Sequence, residues 1–205
     1  MSIPTVSQSA QEHHPEEHRS TTVPDKKMLM WAFLASDCMF FGALIATYLV
    51  YSGRSLVGPF PTEILDIPLT TLSTFVLLMS SFLMVLGLDA LQKDNIPKFR
   101  LWTAGVCFFG LIFLGFQAYE FIHFVHEGLT LQQNLFGSTF FTLTGTHGVH
   151  VAIGILWLTS FLITSFVRPM TSKNALDLDV AALYWHFVDI VWIVIFTVVY
   201  LIEFV

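Results

Sequence analysis

Seven ionisable side chains stand inside otherwise apolar stretches of this sequence: Asp37, Glu120, His123, His147, His150, His186 and Asp189. Such groups are expensive in hydrocarbon, so each is a functional hypothesis with a partner to be named. Asp37 lies about 15 Å along a helix from Lys27, among Phe33, Phe40 and Phe41, with no cation on its own helix to neutralise it. It reads either as a protonatable or lipid-contacting carboxyl at mid-depth or as a tie to another helix. Glu120 and His123 share a helix face at i, i+3, beside Tyr119 and short of His126 and Glu127, and read as a polar packing cluster. His147 and His150, again three apart, invite a metal or haem reading with His186 as third partner. A bis-histidine haem takes one histidine from each of two helices, and the sequence supplies no two matched sets. His186 and Asp189 stack on one face, where each can neutralise or hydrogen-bond the other. No Ser-His-Asp set, phosphate-binding glycine loop or HExxH motif is present. The residues taken alone describe internal polar ties with no complete catalytic centre.

The elements that must position these groups follow from composition. Of 205 residues, 55% are hydrophobic and 12% charged, with a mean hydropathy of +0.70. A soluble domain carries about 25% charged residues, so an all-α integral membrane protein is expected. Five apolar runs, Met28 to Tyr51, Leu69 to Leu91, Leu101 to Val125, Gly137 to Val167 and Val180 to Phe204, are each long enough to cross roughly 30 Å of hydrocarbon. The fourth is too long to stand upright, so it tilts or extends past the surface. Small and hydroxylated residues crowd its first half, from Gly137 to Gly148, where they permit close helix contact. Asp177 and Asp179 are placed to cap the fifth helix. Pro and Gly punctuate the first connection, and none of the loops holds a folded domain. No internal repeat is visible, which disfavours an inverted-repeat transporter.

Residues 1–25 read as a polar tail and 26–205 as the membrane domain. The tail's His13, His14 and His18 read as a solvated cluster, and its acidic residues argue against a transit peptide. Cys38 and Cys107 lie in apolar runs, which excludes a disulfide scaffold. A net charge of -6 gives no surface for nucleic acid. Eight of the nine Lys and Arg residues fall on one side when the tail and the 92–100 and 168–179 loops are placed together, with only Arg54 opposite. That bias places the N-terminus in the cytoplasm and the C-terminus outside.

At these residues the chain resembles subunit III of the haem-copper terminal oxidases. The resemblance is carried by Gly137 to His150 (GSTFFTLTGTHGVH) and Tyr184 to Trp192 (YWHFVDIVW), with further likeness at Ser36 to Phe41, Asp66 to Leu69 and Phe116 to Glu120. It extends over residues 28–204 and matches the five-helix bacterial form. It implies five transmembrane helices in two groups around a lipid-accessible cleft, in the plasma membrane. It also implies no catalytic residue, cofactor or metal in this chain: haem and copper would lie in partner subunits I and II, with a small subunit IV possible and phospholipid bound. The implied role is support of subunit I stability and of proton uptake, with a suggested dioxygen route through the lipid cleft. Asp37 falls at the family's buried carboxyl, which is Glu in many members and one methylene longer. Glu120, His123, His147, His150, His186 and Asp189 carry over as structural or lipid-contacting residues. A cytochrome c oxidase is the first expectation and a quinol oxidase the alternative. A haem-b membrane anchor using His147, His150 and His186, or a proton-coupled transporter relaying through Asp37 and Glu120, are the readings from other classes.

Overall fold

The computed structural model describes residues 24–54, 66–132 and 134–202. The tail histidines and most of the first loop therefore lie outside the described residues. Among the described residues, five helices are long and apolar enough to cross a membrane. They are α1 (Asp25–Tyr51), α2 (Ile67–Gln92), α3 (Ile96–His126), α4 (Leu135–Val167) and α5 (Ala175–Phe196), the last preceded by a 3-10 turn at Ser172–Asn174 and continued by a π turn at Thr197–Leu201.

α2, α3 and α4 begin earlier than the apolar runs because their first turns are set by polar caps. Asp66 Oδ1 accepts the Leu69 N–H at 3.1 Å, with Pro68 inside the first turn of α2. Asn95 Oδ1 accepts the Lys98 N–H at 3.3 Å, with Pro97 in the same role in α3. Asn134 Oδ1 accepts the Gly137 N–H at 2.7 Å and starts α4. Side-chain capping satisfies donors that no preceding turn can reach, and proline at a first turn forfeits none. Asp25 likewise belongs to α1, not to the tail.

Asp177 and Asp179 do not cap α5. They sit within its first turns, and their carboxylates pair with Lys26 and Lys27 at the start of α1. On the same face, the α2–α3 turn is closed by Asp94 in the left-handed region at φ 55°, and its carboxylate receives the Ser172 N–H and hydroxyl. One end of the bundle is thus gathered by charged and polar contacts among α1, the α2–α3 turn and the α4–α5 link.

The core is organised around α5, which packs on α1, α2 and α4. Its Trp185 and Trp192 are buried, and each spends its one donor on a hydroxyl of α2: Trp185 Nε1–H on Ser80 Oγ at 3.1 Å, Trp192 Nε1–H on Thr74 Oγ1 at 2.9 Å. Gly154 on α4 makes room for this: a Cβ there would lie 2.8 Å from the Trp185 ring. Small residues at such a crossing let helices meet at van der Waals distance, the main attraction available inside a bilayer. α1 packs on α4 and α5, while α2 pairs along its length with α3. Against the 12 buried residues of α5, α1 buries only Leu34, Asp37, Phe41 and Tyr48.

Candidate functional site

Midway along α1, Asp37 Oδ1 lies 3.4 Å from His150 Nε2 of α4. The other ring nitrogen, His150 Nδ1, lies 2.8 Å from the Thr146 carbonyl, which can only accept, so Nδ1 carries a hydrogen. The contact becomes a hydrogen bond only with a further proton on the carboxyl or on the ring, since Nδ1 is already spent on Thr146. The Tyr184 hydroxyl donates to the backbone carbonyl of His150 at 3.0 Å, tying α5 to α4 at this level, and Phe41 lies edge-on to the imidazole at 5.0 Å. Asp37 Oδ2 is buried and has no hydrogen-bond partner among the described residues. The pair can exchange a proton or tie α1 to α4. Beside it, α1, α4 and α5 enclose an apolar groove of about 690 Å³ whose lining includes Phe33, His150, Trp157 and Tyr184.

The other ionisable groups are brought to different partners. His147 is fully buried; its Nε2–H donates to the Val188 carbonyl at 3.1 Å, and its ring stacks on Trp192 at 4.8 Å. His186 Nδ1 meets Ser81 Oγ of α2 at 3.2 Å. Asp189 bonds the same serine, so the expected direct contact between His186 and Asp189 is replaced by a shared hydroxyl from the facing helix. The two side chains share a face, but α2 presses against that face and supplies a closer partner to each.

Glu120 and His123 also part. Glu120 is buried, and its Oε1 lies 3.0 Å from both the Thr70 and the Tyr200 hydroxyls, joining α3 to α2 and to the end of α5. His123 is exposed and stacks on Tyr119, with ring centroids 6.4 Å apart. A three-residue step turns a helix by 300°, and here the 60° difference divides core from surface.

The metal reading of His147, His150 and His186 meets a geometric obstacle, since each ring is committed to a separate carbonyl, carboxylate or hydroxyl. Among the described residues no three His, Cys, Asp or Glu side chains converge on one point. The groups that sequence reasoning passed over are the partners: Thr70, Ser81, Tyr200, and Gln117, whose Nε2–H donates to the Thr144 carbonyl at 2.7 Å. A signal for them was present in α2, where Thr70, Ser73, Thr74, Ser80 and Ser81 recur at helical spacing on one stripe.

A family model described as cytochrome c oxidase subunit III matches residues 10–203. The chain is 38% identical over 187 residues to the quinol oxidase subunit 3 of Bacillus subtilis (strain 168), covering 91% of this chain and 92% of that one. It is equally 38% identical over 187 residues to the cytochrome c oxidase subunit 3 of Bacillus sp. (strain PS3), covering 91% and 90%. To the probable quinol oxidase subunit 3 of Staphylococcus saprophyticus it is 40% identical over 177 residues, covering 86% and 88%. With nearly its whole length matched by the family model and by these relatives, the chain belongs to the cytochrome c oxidase subunit III family.

Proposed function

We propose that this chain is the non-catalytic third subunit of a bacterial aerobic oxidase that reduces dioxygen to water and pumps protons. Haem and copper reside in subunits I and II, and this chain packs against subunit I, in an assembly that can include a small subunit IV. It sustains proton uptake through Asp37 and holds phospholipid in the groove beside His150. The observation that carries the reading is the Asp37–His150 contact between α1 and α4, whose carboxylate keeps Oδ2 buried without a partner among the described residues and lies beside an apolar groove.

The N-terminus lies in the cytoplasm and the C-terminus outside, supported by the gathering of Lys26, Lys27, Lys93 and Lys173 at one end. Cytochrome c is the donor in the first reading. Quinol is the second, and relatives named for each donor match to about the same extent, those of Bacillus subtilis included. Native mass spectrometry of the assembly carrying a tagged copy of this chain, with oxygen uptake assayed on reduced cytochrome c and on quinol, tests both levels. The reading expects co-purification with a large haem-containing chain and turnover on one donor. A chain that emerges alone or as a homo-oligomer would be a transporter instead.

A further inference from the structure

At the end of the bundle opposite the lysines, Glu120 lies on the floor of a cavity of about 50 Å³ between the start of α2 and the end of α3. The residue is 6% exposed and stands about 9 Å short of His126, the last of α3. The cavity has room for water, and Asp66, Tyr119 and His123, all exposed, give it a polar mouth. A buried carboxyl within reach of water is a place where a proton can be held and released.

A count of hydrogens gives the site two states. Thr70 Oγ1 stands 2.9 Å from the Asp66 carbonyl oxygen and 3.0 Å from Glu120 Oε1, and it has one hydrogen to give. The carbonyl can only accept. When the threonine donates there, its contact with Glu120 is a hydrogen bond only if the carboxyl carries a proton. When the carboxyl is ionised, the threonine must turn its hydrogen to Oε1. That turn does not orphan the Asp66 carbonyl, which still accepts the Thr70 N–H at 3.0 Å. Tyr200 donates to Oε1 at 3.0 Å in either state. Both arrangements are complete, and they differ by one proton and one rotation about the Thr70 Cβ–Oγ1 bond. The titratable groups that face Glu120 are Asp66 at the start of α2, Tyr119 and His123 on α3, and Tyr200 beyond α5, with Tyr48 of α1 behind Tyr200. α4 contributes Phe140, which packs on Tyr200 at 6.3 Å and carries no charge. Among the described residues Glu120 enters no salt bridge.

We propose that Glu120 is a proton-binding site in exchange with water at this end of the bundle, and that its charge state sets the direction of the Thr70 hydroxyl. Deprotonation passes the proton to water in the cavity, and the carboxylate left behind draws the threonine hydrogen to itself. The site is separate from the Asp37–His150 contact, and it rests neither on the oxidase reading nor on the identity of the electron donor.

Infrared difference spectra of the intact assembly, wild type minus Glu120→Gln, test this. Gln copies the shape and the hydrogen-bonding capacity of the protonated acid, so the variant should keep the fold. The expected difference is the carbonyl band of one protonated carboxylic acid, lost entirely in Glu120→Gln. Raising the pH should replace it by carboxylate bands, and transfer to deuterium oxide should shift it promptly. Thr70→Val removes the hydroxyl and keeps the shape, and should move the band to higher frequency because the acid loses the oxygen it donates to. A difference spectrum with no acid band at any pH overturns the proposal, as does an acid band that no pH converts. A band that deuterium oxide leaves in place for hours marks a carboxyl sealed from water or covered by a partner chain, which also overturns it. A band unmoved in Thr70→Val overturns the role given to the threonine. A chain that does not co-purify with a haem-containing partner can be measured in the same way, so failure of the oxidase reading is registered separately.

Discussion

α1 and α5 are both long apolar helices, yet they are held by different means. α5 is fixed by shape: Trp185 against the bare backbone of Gly154, Trp192 against His147 and Phe113, and each indole donor spent on a hydroxyl of α2. α1 is fixed by charge at two levels, Lys26 and Lys27 on Asp177 and Asp179 at its start and Asp37 on His150 at its middle, while most of its surface faces outward. The difference teaches where function can reside. A helix locked by jigsaw packing has no freedom to change protonation or partner. A helix held by a few polar contacts can respond to a proton or a lipid without unfolding the bundle.

The comparison breaks if the packed helix tolerates truncation. Trp185→Ala should be the most damaging change, about 3 kcal/mol or more, through the cavity left and the lost donor to Ser80 Oγ. Unfolding in a mixed-micelle titration measures it, and an unchanged midpoint would contradict the axial role of α5. Glu120→Leu should come next, at about 1–2 kcal/mol, because it strips a buried acceptor from Thr70 and Tyr200 together.

On α1 the expected effects pass from stability to turnover. Asp37→Asn should leave assembly intact and change stability by less than about 1 kcal/mol, since an amide can still bond His150. It should shorten the lifetime of the oxidase during prolonged turnover or slow proton uptake. Unchanged activity over the same period would reduce Asp37 to a packing residue. The smallest effect is expected from replacing Lys26 and Lys27 together by Gln, under about 1 kcal/mol and fading as salt is raised, because the ion pairs they lose are partly exposed. A large, salt-independent loss would show that α1 depends on that end far more than its exposure implies.

Much of this architecture was legible in the sequence, because membrane spans are read from composition over twenty residues and the five apolar runs became five helices. The helix starts were displaced by two to five residues, since Asp66, Asn95 and Asn134 are polar and lie outside any hydropathy window while still directing the first turn. The polar ties were legible as residues and not as pairs. Spacing along one helix joined His186 to Asp189 and Glu120 to His123. The bundle instead joined the first two through Ser81, 105 positions from His186, and Glu120 to Tyr200, 80 positions away. Periodicity says which side chains share a face; it carries no information about which helix will press on that face. Asp37 shows the same limit: the sequence marked it as unneutralised on its own helix, and its partner was a histidine that spacing had paired with His147.

In the proposed function, this chain supports an oxidase without carrying a redox centre. The most direct test is haem and copper stoichiometry, with an optical spectrum, on the purified assembly before and after this chain is dissociated from it. The metals and the Soret band should remain entirely with the partner chains, and the separated chain should have none. A stoichiometric Soret band on the separated chain would contradict it and would make His147, His150 and His186 ligands after all.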